Sequence, residues 1–399
     1  RYWVKPDGNH ASRPRRTPAA GSGRFLFGGT GVTQDIEIGL LFSRSGGYSL
    51  MSEACRSGAL SAIADVAADP EFDFTFTPVE RDPQGNVDRY APLCEEIIRS
   101  SNARHIIGCT TSWSRKEVIP VLEKYDRWLW YPCPYEGYEA NDHVFYTHAC
   151  PNQHLVPLLS WVTTHFGANA FLTGSNYIWG WEMNRIARDL VADAGGEVLG
   201  ERNLALGETD IERLVYEIRG AQPSFVLNNL IGPSSYAFLE AMANLGEKDS
   251  RFAAANCPVI SCNLTECELP AINGAAEGQL TAGPYFVPHD KNGQKHPGGS
   301  FDAAAYSAVI MLAQAIRRDK AALRSGKAET FHSQSFATPF GETWIDRRNH
   351  HCTLPAVVGR IEGDAINPIH CDAAVEPDPY LSRYDQGLAF PRPNLRVVS

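Results

Sequence analysis

No apolar run in the 399 residues approaches the ~18–20 needed for a membrane-spanning helix, so membrane insertion is not expected. Positive charge is scarce. Thirty-six Lys and Arg stand against 46 Asp and Glu, a formal charge of -10, which argues against a nucleic-acid partner. The one basic cluster, Arg13, Arg15 and Arg16, sits in a Pro/Gly/Ser-rich stretch and reads as a solvated tail. No C-x-x-C pair occurs among the ten cysteines. Cys257, Cys262 and Cys267 fall five apart with no adjacent His, so no metal site is expected. Phosphate-loop, H-E-x-x-H and G-x-S-x-G patterns are missing as well. The glycines of "GSGRFLFGGTG" follow no strand, which leaves a dinucleotide cofactor without support. His350 and His351 are adjacent and on a strand would face opposite sides, as hydrogen-bonded structural histidines rather than a metal pair. No catalytic residue and no cofactor are assigned, and an enzyme is not expected.

What is present is an alternating rhythm. From Ile36 onward, short apolar runs at Ile36–Phe42, Phe72–Val79, His105–Cys109 and Trp128–Tyr131 alternate with helical patterns at Met51–Ala67, Asp88–Ser100 and Ser112–Tyr125. After "NDHVFYTHACPNQ" the rhythm restarts, with strands expected at Ala170–Thr173, Glu197–Leu204, Phe225–Asn229 and Pro258–Ser261. A long helix, Phe301–Arg318, is expected to open after Ser300 as N-cap. Alternation of this kind means α/β architecture with parallel strands and right-handed crossovers. Two such units in succession predict two doubly wound lobes with a ligand cleft between them, outside the carboxyl ends of the strands.

That rule directs attention to loops after strands: "SRSGGYS", "CTTSWS", "YPCPYEG", "GSNYIWGW" and "NNLIGPSS". They carry neutral polar groups and aromatics, namely Tyr131, Tyr135, Tyr177, Trp179 and, further on, Tyr285. The stretch "WLWYPCPYEGYE" (Trp128–Glu139) reads as cleft floor, with Trp128 and Trp130 in packing and Tyr131 to Tyr135 toward ligand. Ser112 either caps a helix or faces a ligand. Arg115 and Lys116, just past the helix start, read as facing solvent. A small neutral ligand fits these loops better than a phosphate.

"GCTTSWSRKEVIPVLEKYDRWLWYPCPYEGYE", "ACPNQHLVPLLSW", "GSNYIWGWEMNR", "AGPYF", "NHH" and "PDPY" together resemble the amide- and urea-binding branch of the type I periplasmic-binding-protein family. The resemblance covers roughly residues 36 to 380. It implies two doubly wound lobes joined by three crossover strands, closing like a Venus flytrap on a small amide or urea. It divides the chain into a tail or strap (1–35), lobe 1 (36–148 plus about 284–335), lobe 2 (149–283 plus about 336–378) and a C-terminal tail (379–399). Two relatives compete within the branch. One is a cytoplasmic amide sensor that negatively regulates an aliphatic amidase operon by sequestering an RNA-binding antiterminator. The other is the urea or short-chain-amide receptor of an ABC transporter, whose partner is a permease. The dispersed cysteines favour the sensor and a cytoplasmic chain, or a periplasmic one if the precursor carries a signal peptide. A homo-oligomer is compatible with either. By resemblance, Ser112 hydrogen-bonds the ligand, Tyr131 and Pro134 form the wall, and Tyr177 closes from the second lobe. Thr110, Cys133 and Trp179 complete the ligand-binding set, but they stand where the sensor carries Tyr, Thr and Tyr. Thiol for hydroxyl at Cys133 weakens a hydrogen-bonding position.

Overall fold

The computed structural model describes residues 34–137, 139–288, 297–323 and 328–390. The arginine cluster at 13–16 and nearly all of the expected 1–35 tail lie outside the described residues. Strands β1 (Gln34–Leu41), β2 (Phe74–Arg81), β3 (His105–Gly108), β4 (Trp128–Tyr131) and β5 (Val144–Tyr146) form one parallel sheet in the order β2-β1-β3-β4-β5. β3, β4 and β5 are buried at every residue, which is why "HIIG" and "WLWY" read as continuous apolar runs rather than alternation. β5 lies inside the segment that looked like a break between the units.

The second sheet repeats the order. β6 (Ala170–Ser175), β7 (Val198–Leu204), β8 (Phe225–Asn229), β9 (Val259–Ser261) and β10 (Leu280–Gly283) run parallel as β7-β6-β8-β9-β10. A hairpin of β11 (Ser335–Thr338) and β12 (Gly341–Trp344) follows. Then β13 (Leu354–Glu362) and β14 (Ala365–Val375) extend the second sheet antiparallel.

Helices α1 (Ser49–Ala68), α2 (Tyr90–Ser100) and α3 (Ser112–Tyr125) belong to the first lobe. α4 (Leu155–Phe166), α5 (Ile178–Asp193), α6 (Glu212–Ala221), α7 (Pro233–Lys248) and the short α8 (Leu269–Ile272) belong to the second. α9 (Ser300–Arg318) returns to the first lobe and packs along α1. The two helices approach so closely at Gly58 that a Cβ there would stand 2.2 Å from the Asp302 carbonyl oxygen. Ser300 is the first residue inside α9 rather than its cap. Its Oγ sits 2.9 Å from His148 Nε2, a side-chain contact 152 residues apart in sequence.

The chain passes between the sheets three times: after β5, after β10, and between β12 and β13. The hairpin stays with the first lobe. Phe336 is fully buried beneath Arg318 of α9, and the Gln314 side chain bonds the Ala337 backbone. The return to the second sheet therefore begins at Leu354, later than the boundary near 336 read from the sequence. Bridges Tyr146↔His351 and Ile345↔Cys352 tie this last crossing to β5 and to the residues beyond the hairpin.

Candidate ligand cleft

β3 ends at Gly108, and the chain turns sharply through Cys109, whose φ of 66° is left-handed. Thr111 then caps α3. Its Oγ1 accepts from the Ser114 amide at 3.2 Å, and its own amide donates to Ser114 Oγ at 3.1 Å. Ser112 is thus not the N-cap but the first residue of the helix. Its buried hydroxyl donates to Glu136 Oε2 at 2.9 Å. Thr110 Oγ1 donates to Ser52 Oγ at 2.9 Å. On the next strand Tyr131 closes β4, and Pro132–Cys133–Pro134 turns away under it. Cys133 Sγ rests 3.5 Å from the Cys109 carbonyl and 4.0 Å from Cys55 Sγ.

The second lobe contributes the loop after β6. Tyr177 precedes α5 in extended conformation and Trp179 lies in its first turn. The seven residues marked in the sequence, Thr110, Ser112, Tyr131, Cys133, Pro134, Tyr177 and Trp179, line a single cavity. Thr111, Met51 of α1, Phe301 of α9, and Ile231 and Asn263 from the ends of β8 and β9 complete its lining. Tyr135 and Tyr285 do not reach it; Tyr135 is fully buried behind the wall.

The two lobes meet beside the cavity. Trp113 meets Tyr177 edge-on with ring centroids 5.6 Å apart. At Gly232, whose φ is 58°, a Cβ would stand only 1.8 Å from the Gly47 carbonyl oxygen, so glycine alone permits this contact between the lobes. The centre of a water-sized sphere can occupy about 20 Å³ of the interior. That is more than the ~10–15 Å³ one water needs, and it suits a ligand of a few heavy atoms. No charged side chain is among the lining residues. Among the described residues, the buried Trp179 Nε1 has no hydrogen-bond partner. Among the described residues nothing bonds the Tyr131 or Tyr177 hydroxyl, so three donors at the cavity are uncommitted.

Behind the wall stands a buried ionic network. Arg115, read from the sequence as solvent-facing, is fully buried. Its Nη2 bonds Glu136 Oε1 at 2.6 Å and its Nε bonds Glu139 Oε1 at 2.9 Å. Its guanidinium carbon lies 4.7 and 4.9 Å from the Tyr131 and Tyr135 ring centroids. Lys116 bonds the other oxygen of Glu139 at 2.8 Å. Burial alone would raise the Glu139 pKa; Arg115 and Lys116 outweigh it and hold the carboxyl down at about 2. Arg115, Glu136 and Glu139 were therefore missed as functional supports. Their identities are visible in "SRK" and "YEGYE", but their pairing spans 21 and 24 residues. Trp128 and Trp130 pack as expected: Trp128 stacks on Phe145 at 4.8 Å, and Trp130 Nε1 donates to His105 Nδ1 at 3.1 Å. His350 bonds the Val144 carbonyl through Nδ1 at 3.2 Å. His351 departs from the expectation of a hydrogen-bonded residue. It stacks on Tyr146 at 4.1 Å with neither ring nitrogen partnered among the described residues, and burial holds its pKa far below the usual range.

The match that decides the family spans residues 36–386, to the model described as "Periplasmic binding protein domain". The chain belongs to the periplasmic binding protein family. Its fold is the type I form, two α/β lobes around a ligand cleft, and the family is one of binding proteins rather than enzymes. Among curated periplasmic binding proteins, "Leu/Ile/Val-binding protein homolog 6" of Brucella abortus is 23% identical over 345 residues, covering 80% of this chain and 85% of the relative. The "Leucine-, isoleucine-, valine-, threonine-, and alanine-binding protein" of Pseudomonas aeruginosa is 28% identical over 169 residues, and the match spans only 43% of that relative. Among solved structures, a solute-binding protein of an ABC transporter from Rhodopseudomonas palustris HaA2, in complex with p-hydroxybenzoic acid, superposes with a TM-score of 0.74 at 20% identity. That match covers 86% of this chain and 98% of the other. A branched-chain amino acid transporter substrate-binding protein from Streptococcus pneumoniae, in complex with isoleucine, gives 0.72 at 15% identity and 86% and 100% coverage.

These findings overturn the cytoplasmic placement: the family model is that of a periplasmic binding protein domain, and the matched structures are binding proteins of transporters. The cysteine argument fails for a physical reason. Eight of the ten free cysteines are buried. Burial lifts Cys94 and Cys257 to about 12 and the other buried thiols higher still where a shift is resolved. A thiol that cannot ionise is inert in an oxidising compartment too.

Proposed function

We propose that this periplasmic binding protein is the receptor of an ABC transporter for a small neutral amide, urea or a short aliphatic amide, held between the lobes at Ser112, Tyr131, Cys133, Pro134, Tyr177, Trp179 and Thr110. The observation that carries the reading is a cavity of about 20 Å³ with no charged side chain in its lining. The matched structures hold aromatic acids or an amino acid, ligands that bear full charges. A carboxylate placed in this cavity would give up hydration with no cation among the lining residues to replace it, a heavy cost. A neutral amide needs only donors and acceptors. Trp179 Nε1 and the Tyr131 and Tyr177 hydroxyls offer uncommitted donors. Closure would be the signal read by the permease, because a ligand shifts an open–closed equilibrium only through better binding to the closed form. Control of an antiterminator required a cytoplasmic chain and loses its footing with that placement.

A thermal-shift panel tests the proposal: urea, formamide, acetamide, propionamide and butyramide against isoleucine, benzoate and 4-hydroxybenzoate. At about 100 times its dissociation constant the true ligand adds roughly 2.7 kcal/mol of stability. Stabilisation by the amides or urea alone is expected. Stabilisation by the amino acid or the aromatic acids alone would overturn the proposal.

A further inference from the structure

We propose that Glu136, which does not line the cavity, sets the direction of the Ser112 hydrogen bond and so makes the site select ligands that present an N–H. The inference rests on the amide reading above and deepens it. A serine hydroxyl has one proton and two lone pairs. Ser112 spends its proton on Glu136 Oε2, at 2.9 Å. Both Glu136 oxygens face the guanidinium: Oε1 takes Arg115 Nη2 at 2.6 Å, and Arg115 Nη1 lies 3.4 Å from Oε2. Arg115 does not release a proton, and Glu139 pins it from the other side at 2.9 Å. The carboxylate is 1% exposed, so water does not compete for it. Ser112 is left with lone pairs to present to the cavity.

Its neighbours are committed the same way. The Thr110 proton goes to Ser52 Oγ at 2.9 Å and the Thr111 proton to Ser114 Oγ at 3.2 Å. The Ser112, Thr110 and Thr111 hydroxyls therefore face the cavity as acceptors, while Trp179 Nε1 on the opposite wall can only donate and the Tyr131 and Tyr177 hydroxyls remain free to donate. A group with N–H at one end and a carbonyl at the other matches that polarity. A carboxylate of the same size has acceptors at both ends and meets lone pairs at Ser112. Glu136 is in this sense a positioning residue.

The test is Glu136→Gln, read by calorimetry with propionamide and propionate as a matched pair. The glutamine oxygen keeps the Arg115 bond, which turns its NH₂ toward Ser112. Ser112 must then accept, and its proton is freed to point into the cavity. Wild type is expected to prefer propionamide by about 100-fold or more, and the variant to narrow that ratio about tenfold or more. In a Ser112→Ala background the same substitution should leave the ratio unchanged, which a merely structural role would not predict. An unchanged ratio in folded Glu136→Gln overturns the inference.

A second measurement needs neither ligand nor that variant. In protein labelled with carbon-13 glutamate, the carboxylate stretch isolated by the infrared difference between wild type and Ser112→Ala should move. An unmoved band overturns the inference even if Glu136→Gln fails to fold. If wild type binds neither probe, the thermal-shift panel decides the amide reading, and the infrared band alone decides whether Glu136 holds the Ser112 proton.

Discussion

Two pairs of glutamates sit in different lobes, and their surroundings act in opposite ways. Glu136 and Glu139 share Arg115, and Glu139 is held down at about 2. Glu266 and Glu268 sit in a single 3-10 turn of the second lobe, and among the described residues no cation pairs with either. Glu266 Oε1 accepts the Val287 amide at 2.8 Å, Glu268 Oε1 accepts the Tyr236 hydroxyl at 2.9 Å, and among the described residues the remaining oxygen of each is buried without a partner. Burial lifts both to about 7. The lesson is that burial alone drives a carboxylate toward neutrality, and one well-placed guanidinium reverses it. Only the first pair is held by a guanidinium, and its Glu136 accepts the Ser112 hydroxyl.

The sharpest way to break the contrast is Arg115→Met, which keeps the aliphatic volume and removes the charge. Two buried carboxylates are then left with Lys116 alone, at an expected cost of about 3–5 kcal/mol in chemical denaturation. A loss under about 1 kcal/mol would show that the network is not what holds this wall. Ser112→Ala comes next. Affinity for the preferred amide should fall by about 1–3 kcal/mol, roughly 5- to 150-fold, measured by calorimetry. The helix should survive, because Thr111 is its cap. If affinity stays within twofold, Ser112 is no ligand contact.

Glu268→Gln probes the unpaired glutamates through pH. A raised folded pKa means stability is full below the unfolded value, near 4.5, and is lost as pH rises through about 7. The variant should therefore match wild type at pH 4.5 and exceed it at pH 8 by something on the order of 2 kcal/mol. Glu139 has the opposite sign: its contribution is present above about 4.5 and vanishes as pH falls toward 2. Denaturation midpoints across that range would separate the two slopes. The smallest expected effect is Tyr177→Phe, which removes one uncommitted hydroxyl from the second-lobe wall. It should weaken ligand binding by about 0.5–1.5 kcal/mol with no change in the unfolding curve. Loss of stability instead would mean that the hydroxyl has a structural task.

The sequence pattern alone carried the α/β class, the two successive units, and the strand-end loops that meet at the cavity. Apolar runs bounded by Gly, Ser and Pro have one stable arrangement in this rhythm, and its loops after strands fall on one side. The cap was read one residue late: "CTTSWS" carries three hydroxyls in a row, and the structure gives the role to Thr111 rather than Ser112. The placement of Arg115 was not legible at all. A charged residue in the first turn of an amphipathic helix reads as solvent-facing unless something across the fold covers it. What covers it is the loop after β4, 21 to 24 residues on. Local periodicity and turn chemistry determined the scaffold because they act over a few residues. Which carboxylate is ionised, which hydroxyl points its proton inward and which cysteines are inert depended on burial and on partners far away in the chain. Those are properties of a packed interior, and only the tertiary structure decides them.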